Sequence, residues 1–187
     1  TGFLNKIGIV KDNVKLLGKS EDNVLRDDLG LSLIEVVTNN LKNYEDIKVF
    51  ELGTIIKNNT NYERLTFVIS SSAETIINDY ELGKNIIYNL ILTFKNLKAE
   101  FKITKKIEDY YKKGMAAVAN DKIIGMIKIL DNIYISKLIK KKTLIVGEIY
   151  LEEFNKLDKA TNLYEEVSRF PMVALDYTII DTLGCKY

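Results

Sequence analysis

Few side chains in this sequence are equipped for chemistry, and their types narrow what that chemistry is. There is no histidine, which removes the commonest general acid/base and a frequent metal ligand and weighs against hydrolytic and zinc chemistry. Arg26, Arg64 and Arg169 are the only three arginines, hence the only planar forks for bidentate phosphate binding; lysine supplies charge without the fork. Asp27 and Asp28 look like a metal pair, but neighbouring helix residues point about 100° apart, so they read as the solvated start of a helix. Lys140, Lys141 and Lys142, with Lys137, form a patch that could meet RNA phosphate. On a chain with 27 basic and 26 acidic residues, however, there is no global field for a polyanion, and the run reads as a solvated turn. Tyr110-Tyr111 could stack a base and reads instead as packing. Asp176, in a partly apolar strand, reads as hydrogen-bonded structure rather than a general base.

These residues need elements to position them. Leu25, Leu29, Leu33, Val37 and Leu41 recur every fourth residue, which predicts an amphipathic helix over Asp22 to Leu41, N-capped by Ser20 and started by acidic residues that suit the helix dipole. A strand follows over Lys48 to Lys57. Glu51 interrupts its apolar run, so a buried partner is expected, and Arg26 is the choice. The polar turn Lys57 to Asn61 leads to an antiparallel partner over Arg64 to Ser70. Ser70-Ser71-Ser72 is the best cap cluster in the chain, before a helix over Ala73 to Lys98 that Gly83 could divide. A strand over Ala99 to Ile103, a charged connection, and a hairpin over Met115 to Ala119 and Ile123 to Ile129 come next. A short helix over Ile133 to Ile139, a strand over Thr143 to Tyr150 and a helix over Leu151 to Leu157 complete the reading. Residues 2 to 19 read as a short helix and a strand.

At 187 residues with 47% hydrophobic composition, one domain with its own core is expected, without a metal or disulfide staple. No apolar run approaches the length of a membrane span, and the chain reads as soluble. The lone Cys185 has no internal partner and agrees with a reducing cytoplasm. Thr1 does not begin a native message, so a piece of a longer chain is expected.

An ordered series of motifs resembles the catalytic-like module of the β chain of phenylalanine–tRNA synthetase. Leu25-Arg26, Leu29, Leu33, Ile34 and Glu35 fit the family's Leu-Arg helix motif, with Leu31-Ser32 where the family has Pro-Gly. Phe50-Glu51-Leu52-Gly53 matches its Phe-Glu-Ile-Gly, followed by Thr54 where Arg is usual. Gly114 with Ala117, and Ile124 with Gly125, align with the second hairpin, Met115 replacing an Arg. Val146 to Leu151 matches a late strand. Ser168-Arg169-Phe170-Pro171 through Asp176 resembles Ser-Lys-Phe-Pro-x-Val-x-Arg-Asp, with Leu175 for the last Arg.

The resemblance implies an α+β domain of the class II synthetase-like fold, an antiparallel sheet flanked by helices. It also implies loss of catalysis: no cofactor in this domain, with ATP and magnesium used by the α chain of an (αβ)2 enzyme that ligates phenylalanine to its tRNA. The departures agree, since the strand that should present a phosphate-binding Arg carries Thr54. The resemblance implies pairing with the α chain through the core sheet and the first long helix, that helix being the interface candidate here, with Ile34, Glu35 and Thr38 facing outward. A piece removed from its partner would expose an apolar patch and self-associate. The alternative is a standalone paralogue acting as an interaction or ligand-binding module.

Overall fold

The computed structural model describes residues 2–9, 26–136, 138–139 and 141–161. Six strands form one fully antiparallel sheet: β1 (Lys48–Lys57), β2 (Thr60–Ser71), β3 (Glu100–Ile103), β4 (Tyr111–Ala119), β5 (Lys122–Leu130) and β6 (Thr143–Tyr150), in the order β1-β2-β6-β5-β4-β3. Two hairpins set the register at either side of β6. Their tips, Asn58-Asn59 and Asn120-Asp121, all have positive φ between 47° and 60°, the left-handed pair that two-residue loops need to match strand twist and that Asn and Asp tolerate.

Helices cover both faces. On one lie α1 (Gly2–Ile7) and α2 (Leu29–Asn40), packing Leu31, Leu33, Ile34 and Val37 against Val68 and Val146. On the other lie α3 (Ile76–Lys95) and α5 (Leu151–Asn155), where Ile87 and Ile91 meet Phe67, Ile127, Ile145 and Ile149. A short α4 (Asn132–Ile135) joins β5 to β6. Gly83 does not divide α3: a Cβ there would stand 2.5 Å from Ile127 Cδ1, so it is the point of closest approach between helix and sheet, and the helix runs through it.

Two expectations fail. The first long helix does not begin near Asp22 but at Leu29, because Asp28 is extended (φ −155°, ψ 117°) and its side chain caps the first turn. Arg26 just before it lies along the sheet edge, its carbonyl accepting the Ile56 N–H at 2.9 Å. Ile34 and Thr38 do not face outward: they are 0% and 5% exposed. α2 is enclosed by α1 and the residues around α4 as well as by the sheet, so its buried arc is wider than the stripe a surface helix shows. Of the three interface candidates only Glu35 is exposed. Leu25, Arg169, Phe170, Pro171 and Asp176 lie outside the described residues.

Candidate functional site

The α2 face of the sheet gathers its charged side chains into one patch. Thr66 of β2 stands opposite both Glu51 of β1 and Glu148 of β6, and Arg64 opposite Tyr150. Directly opposed residues of an antiparallel pair share a face, so these side chains converge, and Lys128 of β5 joins them from beside Glu148.

Lys128 is 1% exposed, although it carries a charge. Its Nζ lies 3.2 Å from Glu148 Oε2, 3.3 Å from Glu108 Oε2 and 4.3 Å from the centroid of the Tyr111 ring. Burial alone would lower its pKa, but Glu148, Glu108 and Asp28 outweigh burial and hold the ammonium above its ordinary value. Asp28 sits on the same cluster. Tyr110 Oη donates to its Oδ2 at 2.7 Å while its Oδ1 accepts the Leu31 N–H at 3.3 Å, so one buried carboxylate caps α2 and ties it to the residue that precedes β4. Burial first, then these carboxylates, push the hydroxyls of Tyr110 and Tyr111 well above the ordinary tyrosine value. The space under the start of α2 is filled: a Cβ on Gly30 would stand 3.0 Å from Asp28 Oδ1 and 3.1 Å from Tyr111 Oη.

The arginines are equally committed. Arg64 is bound by Glu152 of α5 and lies 4.6 Å from the Tyr150 ring centroid and 5.2 Å from that of Tyr62. The second Glu152 oxygen takes the Glu63 N–H. Burial would raise the Glu152 carboxyl, but backbone hydrogen bonds, including that one, and the guanidinium hold it below its usual value. Arg26 pairs with Glu51 at 2.7 Å, as expected from the sequence, yet at the surface, the two side chains being 47% and 31% exposed. Chemically, the described cations of this face are a neutralised set. A phosphate arriving there would have to displace a carboxylate from each, at a desolvation cost for the carboxylate left behind.

The structure thus brings together Arg26, Glu51 and Gly53 of the predicted motif. Gly53 has no side chain where Leu29 of α2 packs down, 3.3 Å from the position of a Cβ. Gly114 and Gly125 lie on β4 and β5 beside the cluster, Gly125 where β6 backbone leaves no room for a Cβ. Phe50 is in the strand as expected but points to the opposite face and is 76% exposed. The basic run does not gather at a site: Lys140 lies outside the described residues, Lys141 is exposed with φ 62°, and Lys142 pairs with Asp46 at 3.0 Å. Asp28 is no solvated helix start; it is buried and bonded. Tyr110 and Tyr111 are core residues, as their reading as packing requires. Sequence reasoning missed Lys128 and Glu148, although each is a lone charge in an apolar strand, Ile123 to Leu130 and Leu144 to Tyr150, the same signal that singled out Glu51.

Comparison with known proteins agrees with this geometry. The sequence model described as "Phenylalanyl tRNA synthetase beta chain CLM domain" matches residues 12–151. No curated protein matches. Among solved structures, the Desulfitobacterium hafniense pyrrolysyl tRNA synthetase PylSc is similar at a TM-score of 0.59 and 13% identity, covering 81% of this chain and 58% of its own. A Giardia lamblia prolyl-tRNA synthetase in complex with prolyl-adenylate is similar at 0.61 and 11%, covering 81% and 38%. At such identities the likeness is one of fold: an antiparallel sheet with flanking helices, as in class II synthetases. The chain spans 58% or less of those proteins.

Proposed function

Because the chain belongs to the family of phenylalanyl-tRNA synthetase β-chain CLM domains, we propose that it is a non-catalytic scaffold of phenylalanine–tRNA ligase, working beside an α chain that carries out ATP- and magnesium-dependent aminoacylation in the cytoplasm. The observation that carries this reading is the neutralised patch. Arg26, Arg64 and Lys128 are held by Glu51, Glu152 and the Glu148–Glu108 pair, so the described cations of the sheet face are engaged where an adenylate-forming enzyme needs preorganised charge for a triphosphate. Gly30 and Tyr111 fill the space under the start of α2, and Thr54 brings no arginine to β1. The residues present do not fit ATP with magnesium.

The α-chain contact belongs on β1 rather than on α2. Ile34 and Thr38 are buried, whereas Phe50 and Leu52 are 76% and 65% exposed, beside an apolar groove between β1 and α3 that Phe50, Leu65, Ile86 and Leu90 help to line. A contiguous apolar surface of this kind is what a permanent partner covers.

ATP–pyrophosphate exchange tests the reading. The purified chain is expected to show no phenylalanine-dependent exchange, and co-expression with the α chain of its organism to give a stable complex with exchange activity. Exchange by the chain alone overturns the loss of catalysis. Retention of the complex after Phe50→Asp with Leu52→Asp overturns the assigned contact surface.

A further inference from the structure

The sheet ends at β1 on one side and at β3 on the other, and the β3 edge carries a surface of its own. The Thr104 N–H turns inward to the Gly114 carbonyl at 3.2 Å. By alternation Phe101 and Ile103 direct their N–H and C=O groups away from β4, where no further strand stands among the described residues. Ile103 is 86% exposed. Around it the charge is one-sided: residues 98–113 hold six lysines and three carboxylates, in a chain of 27 basic and 26 acidic residues. Two of those carboxylates are committed, Glu108 to Lys128 at 3.3 Å and Glu100 to Lys102 at 3.2 Å. Lys98, Lys105, Lys106, Lys112 and Lys113 are exposed, and none has an acidic partner among the described residues. Lys105 and Lys106 follow β3 while Lys112 and Lys113 stand near the start of β4. Because the two strands are antiparallel, with Ile103 opposite Met115, these four lysines lie at the same end of the edge.

Each of these features has its own complement. Open N–H and C=O groups pair with an extended chain, Ile103 with an apolar side chain, and the lysines with carboxylates. A second copy of this edge is the wrong occupant, because lysines on an edge strand keep like-charged edges apart. A nucleic acid meets the ammonium groups but has no extended amide backbone to offer β3. We propose that the β3 edge takes up an extended, acidic segment of another polypeptide as an added antiparallel strand. Carboxylates in the first half of that segment lie against Lys105, Lys106, Lys112 and Lys113, and β-branched residues in its second half lie beside Ile103. β1, the edge given to the α chain above, is at the opposite end of the sheet, so this contact stands or falls apart from that reading.

Fluorescence anisotropy of the purified chain with a labelled peptide, DEDETVTIT, tests it. The peptide is expected to bind. The reversed sequence TITVTEDED, the uncharged NQNQTVTIT and the less apolar DEDETSTST should each bind at least about tenfold more weakly. Ile103→Pro removes an outward N–H and leaves the inward bond of Thr104 in place, and proline is tolerated on edge strands. The thermal midpoint should therefore hold while binding falls by a similar factor. Ile103→Thr, which keeps the N–H, should weaken binding less. Lys105→Gln with Lys113→Gln should weaken it at low salt and differ little from the parent chain at high salt. Failure of the peptide to bind overturns the site. So does undiminished binding by Ile103→Pro, which would mean attraction by charge alone, or undiminished binding when Ile103→Thr is combined with the two lysine changes. Tighter binding of polyuridylate than of the peptide also overturns it. Binding that appears only after Glu165→Gln with Glu166→Gln would put the chain's own acidic run on this edge and overturns a separate partner.

Discussion

The two faces of the sheet are closed by opposite means. Beyond its first turn, where Asp79 accepts a hydrogen bond from Ser71 of β2, α3 meets the sheet through apolar side chains: Ile87 and Ile91 rest on Phe67, Ile127, Ile145 and Ile149, and Gly83 lets helix and sheet approach until only a hydrogen fits between them. Under the start of α2 the same strands turn Lys128, Glu148 and Thr66 inward, on the side of Asp28, Tyr110 and Tyr111. The first face depends on shape and on area removed from water. The second depends on complete pairing, and the hydroxyls of Thr66 and Tyr111, which have no partner among the described residues, show where it falls short. One sheet is thus closed on one side by shape and on the other by side chains that hold each other.

Removing one partner is the strongest way to break the polar face. Lys128→Met should destabilise the domain by about 3–5 kcal/mol, because Glu148 and Asp28 stay buried without their cation. Lys128→Met with Glu148→Leu should recover much of that loss, read by urea denaturation of the single and double variants; equal losses would mean that packing rather than pairing holds this face. On the apolar face, Ile91→Ala should cost about 3 kcal/mol with no dependence on pH. Asp28→Ala removes a cap and the acceptor of the Tyr110 hydroxyl together and should cost about 2 kcal/mol, with hydrogen exchange faster in the first turn of α2 than in α3.

Alkali should separate the faces without a mutation. Tyr110, Tyr111 and Tyr150 hold their protons above the ordinary value of 10.0, burial being the main cause. The unfolded chain releases these protons first, so it binds fewer of them and stability falls as pH rises past about 10. Lys128, raised above 10.5, acts in the same direction: its contribution is present below that pH and is lost above it. The part of the tyrosinate absorbance that belongs to these three buried tyrosines should therefore rise together with loss of the circular dichroism signal; ionisation of all eleven tyrosines in an intact fold would contradict their burial. The smallest effect belongs to Arg26→Ala. Its pair with Glu51 is surface-exposed and should contribute under about 0.5 kcal/mol, within the error of most unfolding curves.

Much of the sheet is legible in the sequence, because its signals are local. Asn58-Asn59 and Asn120-Asp121 announce both hairpins, and Thr143 to Tyr150 is a strand with the bounds its apolar run implies. The start of α2 is not legible, for a physical reason. Ser20, Asp22 and Asp28 are all acceptable caps, and what selects Asp28 is a hydroxyl from Tyr110, 82 residues away, together with Arg26 being drawn to the sheet edge by Ile56. The burial of Ile34 and Thr38 is hidden for a similar reason, since no periodicity reveals that helix residues meet α1 and the α4 region as well as strands. Glu51 and Arg26 are correctly paired from their types, whereas the depth of that pair is set by the edge position of β1. Lys128 and Glu148 were readable as lone charges in apolar strands, but not as partners of each other, because their closeness comes from a register that only the folded sheet fixes.

The seal over Lys128 also sets how the domain meets its ionic surroundings. Dissolved ions screen charges they can approach, within about 8 Å at physiological strength. The Arg26–Glu51 contact will fade as electrolyte is added, but an ammonium enclosed by the Tyr111 ring and two carboxylates offers such ions no entry. The clasp between α2 and the sheet should accordingly keep its grip from dilute buffer to brine.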